Sequence, residues 1–389
     1  MNPGATGPDW ADLNNLTPDV LIGVARERAG LEDFGSDSFR EGLTLVAEGM
    51  RRDVMSRGGR RLLGDLVVRY LENRLQVTEH HRLDPEIAQR NVTAPNVILG
   101  LPRTGTTVLS YLLDQDPQWR SLLNWEAVQS APPAPPGEHR TDQRCLDLLE
   151  FQHSVLPLID PPPPHWEWAD GPTECTFLLA QDFKAAMWES RVPYQPYRDF
   201  ISAVDMTSAY DYHRSVLQLL QHDDPTTWVL KMPAHAYFID GLLERYPDAR
   251  IIWTHRDPVT ATASFMNLTA FSHRLSMGEA DAEWIARTVP DRMVEQARRP
   301  MEALAGRNVF HVDYARASQD QFDVMEELYA WLDVPLSAEV RTAMHAWLDR
   351  DPLAVSRGAR YALEDFGVDR AELRGRFTDY IDTFNVTLD

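Results

Sequence analysis

Asn96-Val-Ile-Leu99 leads straight into Gly100-Leu-Pro-Arg-Thr-Gly-Thr-Thr107. A short apolar run, a glycine-bounded turn and a helix-forming segment make a strand–turn–helix unit. Its backbone N–H groups and helix N-terminus point at an anion. Gly100 and Gly105 permit the tight backbone, while Thr104, Thr106 and Thr107 add hydroxyl donors. Arg103 adds a guanidinium fork that grips sulfate or phosphate bidentately. A nucleotide triphosphatase carries a lysine where this chain has Thr106, and the nearest cation, Arg103, stands three residues earlier.

The same strand-then-helix rhythm continues downstream. Trp228–Lys231, Arg250–Thr254 and Asn308–Val312 are further apolar runs, and helical patterns are predicted near 105–113, 235–246 and 319–332. Strands alternating with helices imply an α/β fold, a parallel sheet flanked by helices around a P-loop-like turn. Upstream, residues 16–83 read as helical. Leu-Thr-Pro-Asp at 16–19 offers a cap, a first-turn proline and an early acid, and Gly30 is a stop. The expected organisation is an N-terminal helical region, 1–90, packed on an α/β domain, 91–389. Two proline-rich stretches, 131–136 and 161–164, cannot be central strands or helix interiors. They read as surface loops or as a rigid wall around a substrate mouth, with lid loops expected near 125–200.

The 389 residues carry 38 basic and 59 acidic side chains, a formal charge of −21. That argues against the basic surface needed for nucleic acid or anionic membranes, so an anionic ligand must be held by a local cluster of cations. No apolar run approaches the ~18 residues of a membrane span. The first residues lack a basic segment followed by an apolar one, which makes a cytoplasmic location the expectation. Cys145 and Cys175 fit no metal or redox spacing and read as reduced, buried thiols. Only two lysines occur, Lys184 and Lys231.

An ATPase or GTPase needs magnesium, held by an aspartate at a neighbouring strand end. Here the later strands end Trp-Val-Leu-Lys and Ile-Ile-Trp-Thr-His-Arg, and Asp257-Pro258 reads as a helix cap and first position. The site is therefore expected to hold an anion with protein cations and no metal.

At this point the chain resembles the sulfotransferases that use 3′-phosphoadenosine 5′-phosphosulfate (PAPS), above all a mostly bacterial branch whose loop reads G-x-P-R-[ST]-G-T-T. The likeness spans roughly residues 15–385. It takes in Trp125–Pro136, Pro172-Thr-Glu-Cys175, Val229-Leu-Lys-Met-Pro233, Thr254-His-Arg-Asp-Pro258 and Tyr361-x-Leu-Glu-Asp-Phe-Gly367. It implies that Arg103, Thr104, Gly105, Thr106 and Thr107 wrap the 5′-phosphosulfate. Arg256, with Ser264 eight residues on, would hold the 3′-phosphate, and Tyr314 would contact the adenosine. Arg357 is a further candidate for the 3′-phosphate. The implied reaction moves a sulfuryl group to a hydroxyl of a small-molecule, metabolite or lipid acceptor and releases the bisphosphate PAP.

Such a transfer needs an acceptor oxygen in line with sulfur, cations for the leaving oxygen and a base for the acceptor proton. Lys231 ends a strand beside the loop and precedes Arg256 by 25 residues, the spacing of a functional lysine in cytosolic sulfotransferases. Those enzymes place a histidine two residues after that lysine, where this chain has Pro233; His235 lies just beyond. Other branches use a glutamate shortly after the loop helix, a place that Glu126 fits. Glu126 is the first candidate for the base, His235 the second, and Glu174 a third. Trp166, Trp168, Trp188, Tyr194 and Tyr197 suggest an aromatic acceptor wall or ordinary core. An atypical nucleotide kinase and a non-catalytic nucleotide-binding protein are the competing readings. A homodimer is compatible with the chain, but no segment argues for it.

Overall fold

Five parallel strands make one sheet in the order β2-β3-β1-β4-β5. They are β1 Asn96–Gly100, β2 Trp119–Ser121, β3 Thr227–Lys231, β4 Arg250–His255 and β5 Val309–Asp313. The structure, a computed structural model, describes residues 8–159, 162–222, 226–350 and 363–389. Four strands lie where apolar runs predict them. The fifth, β2, is Trp-Arg-Ser, too short and too polar to show a period; pairing with β3 makes it a strand.

Alternation sorts the strand side chains onto two faces. Val97, Leu99, Leu230, Ile251 and Trp253 join the larger apolar cluster, which also receives Leu21, Leu71 and Phe377. Ile98, Val229, Ile252 and Val312 join a second cluster with Leu112, Leu328 and Trp347 on the opposite face. A parallel sheet buried on both sides needs such unbroken apolar runs.

Among the described residues three α-helices precede the sheet: α1 Pro18–Ala29, α2 Arg40–Met50 and α3 Arg57–Leu83. Thr17 caps α1 by accepting from the Val20 amide, and Gly30 closes it with φ 65. α3 is seated tightly on the Pro258–Met277 helix. The Ser56 amide donates to the Ser276 carbonyl at 3.0 Å, and a Cβ at Gly59 would stand 1.8 Å from that same oxygen. The helix that carries Ser264 is thus braced from the N-terminal region. Among the described residues no helix is long and apolar enough to cross a membrane.

Register places the site. Ile98 pairs with Lys231 and Gly100 with Thr254, so the carboxyl ends of β1, β3 and β4 lie side by side. From β1 the chain runs through α4, Thr106–Leu113, to β2 on one flank; from β4 it runs to β5 on the other. The crevice beyond β1 and β4 is the topological switch point, where open α/β sheets bind ligands.

Candidate active site

The turn after β1 is shaped by close packing. A Cβ at Gly100 would meet the Thr254 carbonyl oxygen at 2.5 Å, and Gly105, at φ 88, lies against the Tyr314 ring. Thr104 is turned inward: Oγ1 donates to the Leu101 carbonyl at 2.7 Å and lies 2.5 Å from Thr254 Oγ1. Gln296, from the Ala282–Ala303 helix, donates to the Gly100 carbonyl at 2.7 Å. Thr104 therefore braces the loop through its side chain. Thr106 and Thr107 open α4, with Gly105 as its cap residue, and their amides belong to the first turn whose N–H groups have no partner within the helix.

Arg103 has φ 70, a left-handed conformation uncommon outside glycine. Its side chain reaches the Pro258–Met277 helix that follows β4. Its Nε donates to Ser264 Oγ at 3.1 Å, and its carbonyl accepts from Arg256 Nη1 at 3.1 Å. The Arg256 guanidinium in turn lies 4.2 Å from the centroid of the Tyr314 ring. Arg103, Gly105, Arg256, Ser264 and Tyr314, spread over more than half of the sequence, form one connected group. Asp257 follows as the helix cap read from the sequence, its Oδ1 accepting from the Val259 amide at 2.9 Å. Arg357 lies outside the described residues.

Lys231 closes β3 and is almost wholly buried. Its Nζ donates to Glu167 Oε1 at 2.7 Å and to Glu174 Oε1 at 3.2 Å. Burial disfavours its charge, but the two carboxylates outweigh burial and raise its pKa above the ordinary value. For Glu167, too, burial opposes the charge; Lys231 and His165 overcome it and hold the carboxyl well below the usual carboxylate range. Each member of the pair favours the charged form of the other. Glu167 Oε2 accepts from Thr173 Oγ1 at 2.5 Å, and Gln152 Nε2 binds the Glu167 carbonyl at 2.9 Å. Glu174 is the more open partner, its side chain 23 % exposed against 5 % for Glu167. His165, Glu167 and Glu174 each bring a ligand atom within 4.8 Å of the others. The cation among them is the Lys231 ammonium.

The other two candidates for the base stand elsewhere. Glu126 is 1 % exposed and has both oxygens engaged, one with Arg120 Nη2 and one with the Leu123 amide that it caps. Arg120 itself lies over the Trp228 ring, and Arg120 and Glu126 line a small cavity with Pro135, His139 and His222. Lys231 is met by Glu167 and Glu174, and Glu126 is not among its partners. His235 is fully buried; its Nδ1 shares a 2.8 Å hydrogen bond with the Tyr210 hydroxyl, and its ring stacks on Tyr210. Burial, with His213 nearby, keeps its pKa well below the ordinary value. Neither side chain meets Lys231: Glu126 is taken up by Arg120 and the Leu123 amide, and His235 by Tyr210.

Glu167 was not legible as a site residue. It stands 64 positions from Lys231, between two tryptophans in His-Trp-Glu-Trp. The signal available was an acid embedded in an aromatic run. Trp166 and Trp168 flank it half-buried, with ring centroids 6.0 Å apart. Trp188 and Tyr197 belong instead to the core, and Tyr194 lies over Arg52 at the surface. Cys145 and Cys175 are free and buried, and burial pushes each thiol pKa up to about 12.

Residues 95–338 match a family model described as the sulfotransferase family. The fold is similar to that of the sulfotransferase STF9 from Mycobacterium avium, with TM-score 0.89 and 40 % identity, covering 96 % of this chain and 98 % of that one. It is also similar to the sulfotransferase STF1 from Mycobacterium tuberculosis H37Rv, with TM-score 0.81 and 26 % identity, covering 93 % and 98 %. No curated protein matches the sequence.

Proposed function

The chain belongs to the sulfotransferase family, and from that we propose that it transfers the sulfuryl group of PAPS to a hydroxyl of a small-molecule or lipid acceptor. The observation that carries this reading is the link between the β1 and β4 ends: Arg103 to Ser264, and Arg256 to the Arg103 carbonyl. Two guanidinium groups held together at a switch point suit a ligand with two separated anionic groups. Arg103 and the amides of Thr106 and Thr107 take the 5′-phosphosulfate. Arg256 and Ser264 take the 3′-phosphate, and Tyr314 lies against the adenosine.

In the transfer, the acceptor oxygen forms a bond to sulfur while the bond from sulfur to the bridging phosphate oxygen breaks. PAP leaves with that oxygen. Lys231 neutralises the charge that develops there. The acceptor proton passes to Glu174, the carboxylate that combines contact with Lys231 and access to solvent. Glu167 stays ionised and keeps the ammonium charged. Glu126 and His235 support the fold in this account. Residues 1–90 brace the helix that carries Ser264, and the 125–200 stretch supplies both carboxylates and covers the acceptor.

Calorimetry with PAP and with ATP, each with and without magnesium, tests the nucleotide assignment. The account predicts metal-independent PAP binding that is much tighter than ATP binding. Tight binding of ATP only with magnesium would point to a kinase.

A further inference from the structure

Among the described residues Arg256 makes three contacts, two of which fix it in the site. Nη1 donates to the Arg103 carbonyl, and the guanidinium plane lies over Tyr314. The third takes its remaining edge: Nε and Nη2 donate to Asp389 Oδ2 at 3.2 and 3.1 Å. That edge, with two N–H groups side by side, is the face by which a guanidinium grips a phosphate or carboxylate.

Asp389 is brought there by a braced segment. In the Thr378–Phe384 helix, the Tyr380 hydroxyl lies 2.9 Å from His255 Nδ1, and the Phe384 ring stacks on His255 at 4.5 Å. Asn385, at φ 46, turns the chain, and Val386 is buried beneath the turn. The Asp389 amide then donates to Asp257 Oδ2, which also accepts from Arg374 Nη2, each at 3.3 Å. The carboxylate of residue 389 thus rests on the fork assigned above to the 3′-phosphate.

We propose that Asp389 is a specificity-determining residue of the nucleotide site. Its carboxylate holds the Nε/Nη2 edge of Arg256 when no ligand is present, and the 3′-phosphate of the donor or product displaces it. This rests on the assignment of Arg256 to that phosphate. The exchange is feasible because the two side chains are 22 and 41 % exposed, so the pair is only partly desolvated. Arg256 keeps its other two contacts throughout, so it stays oriented while one anion replaces the other. A nucleotide without a 3′-phosphate leaves Asp389 in place and does not feel the competition. When PAP departs, the returning carboxylate competes with rebinding.

The test is calorimetry and stopped-flow dissociation on the full chain with PAP and with 5′-AMP. It compares the wild type, Asp389→Asn and Arg256→Ala. An ion pair this exposed corresponds to a gain of about two- to fivefold in PAP affinity for Asp389→Asn. The gain is expected as slower PAP dissociation, with 5′-AMP affinity unchanged. Unchanged PAP affinity in Asp389→Asn overturns the proposal, and so does an equal gain for 5′-AMP. PAP binding that survives Arg256→Ala without loss overturns the phosphate assignment instead, so the two failures are distinct.

Discussion

Lys231 and Glu167 form a buried ion pair, Nζ to Oε1 at 2.7 Å, with side chains only 1 and 5 % exposed. Burying two charges is costly unless further hydrogen bonds satisfy them, and such pairs contribute little net stability. Here Thr173, His165 and Glu174 complete the group. The arrangement places the ammonium in a low-dielectric position beside the Gly100–Thr107 turn, where under the proposed reading it acts more strongly than in water.

Lys231→Met should therefore cost in two ways. Loss of the leaving-group cation is expected to lower kcat by about 10²–10³-fold. The unpaired Glu167 carboxylate should also cost about 3–5 kcal/mol of stability. Adding Glu167→Gln to Lys231→Met should recover much of the stability and none of the rate. Denaturant titration and steady-state kinetics on the three proteins check both effects.

Glu174→Gln is expected to lower the rate by about 10²–10⁴-fold, the range for loss of a general base, while PAP affinity is retained. Glu126→Gln should keep near-native turnover and lose about 1–3 kcal/mol of stability, because Arg120 loses a charged partner. The reverse pattern would return the base to Glu126.

Arg103→Ala and Arg256→Ala should each weaken PAP binding by about 10–100-fold, the scale of one or two charge-assisted hydrogen bonds. Thermal stability should change little for Arg256, whose ion pair is partly exposed. Calorimetry reads the affinity, and a thermal melt separates it from unfolding.

Stability should fall as the medium is acidified below about pH 6.5. Burial holds His213 and His255 at about 3, against an ordinary 6.5, and keeps His235 well below it. The unfolded chain binds those protons first, so the stabilisation is complete above 6.5 and is lost as pH falls toward the folded values. The depressed Glu167 carboxyl works in the same direction. Its contribution is present above the ordinary 4.5 and lost below it. Melting temperatures from pH 8 to pH 4 should decline throughout the lower part of that range.

The fold was legible where the local pattern is strong. β1, β3 and β4 are apolar runs buried on both faces, β5 is a partly buried edge strand, and the Gly100–Thr107 turn carries its own conformational signals. Arg103 and Arg256 stand just beyond strand ends and Ser264 on the helix that follows β4, and the family resemblance singled out all three; the structure brings them into contact. Of the partners of Lys231, Glu174 was a candidate and Glu167 was not. Sequence position brings Glu126 and His235 close to the right strands. The direction of each side chain is set by packing, against Arg120 in one case and Tyr210 in the other. Glu167 reaches Lys231 through a loop whose course no short-range pattern encodes.

The most direct measurement is transfer itself. The protein is incubated with sulfur-labelled PAPS and a panel of phenols, alcohols and hydroxylated lipids, and the products are read by mass spectrometry. The account predicts a product heavier by one sulfuryl group, one PAP released per product, and loss of both in Lys231→Met. PAP-competent protein that transfers no label to any hydroxyl acceptor, or transfer that is undiminished in Lys231→Met, would contradict it.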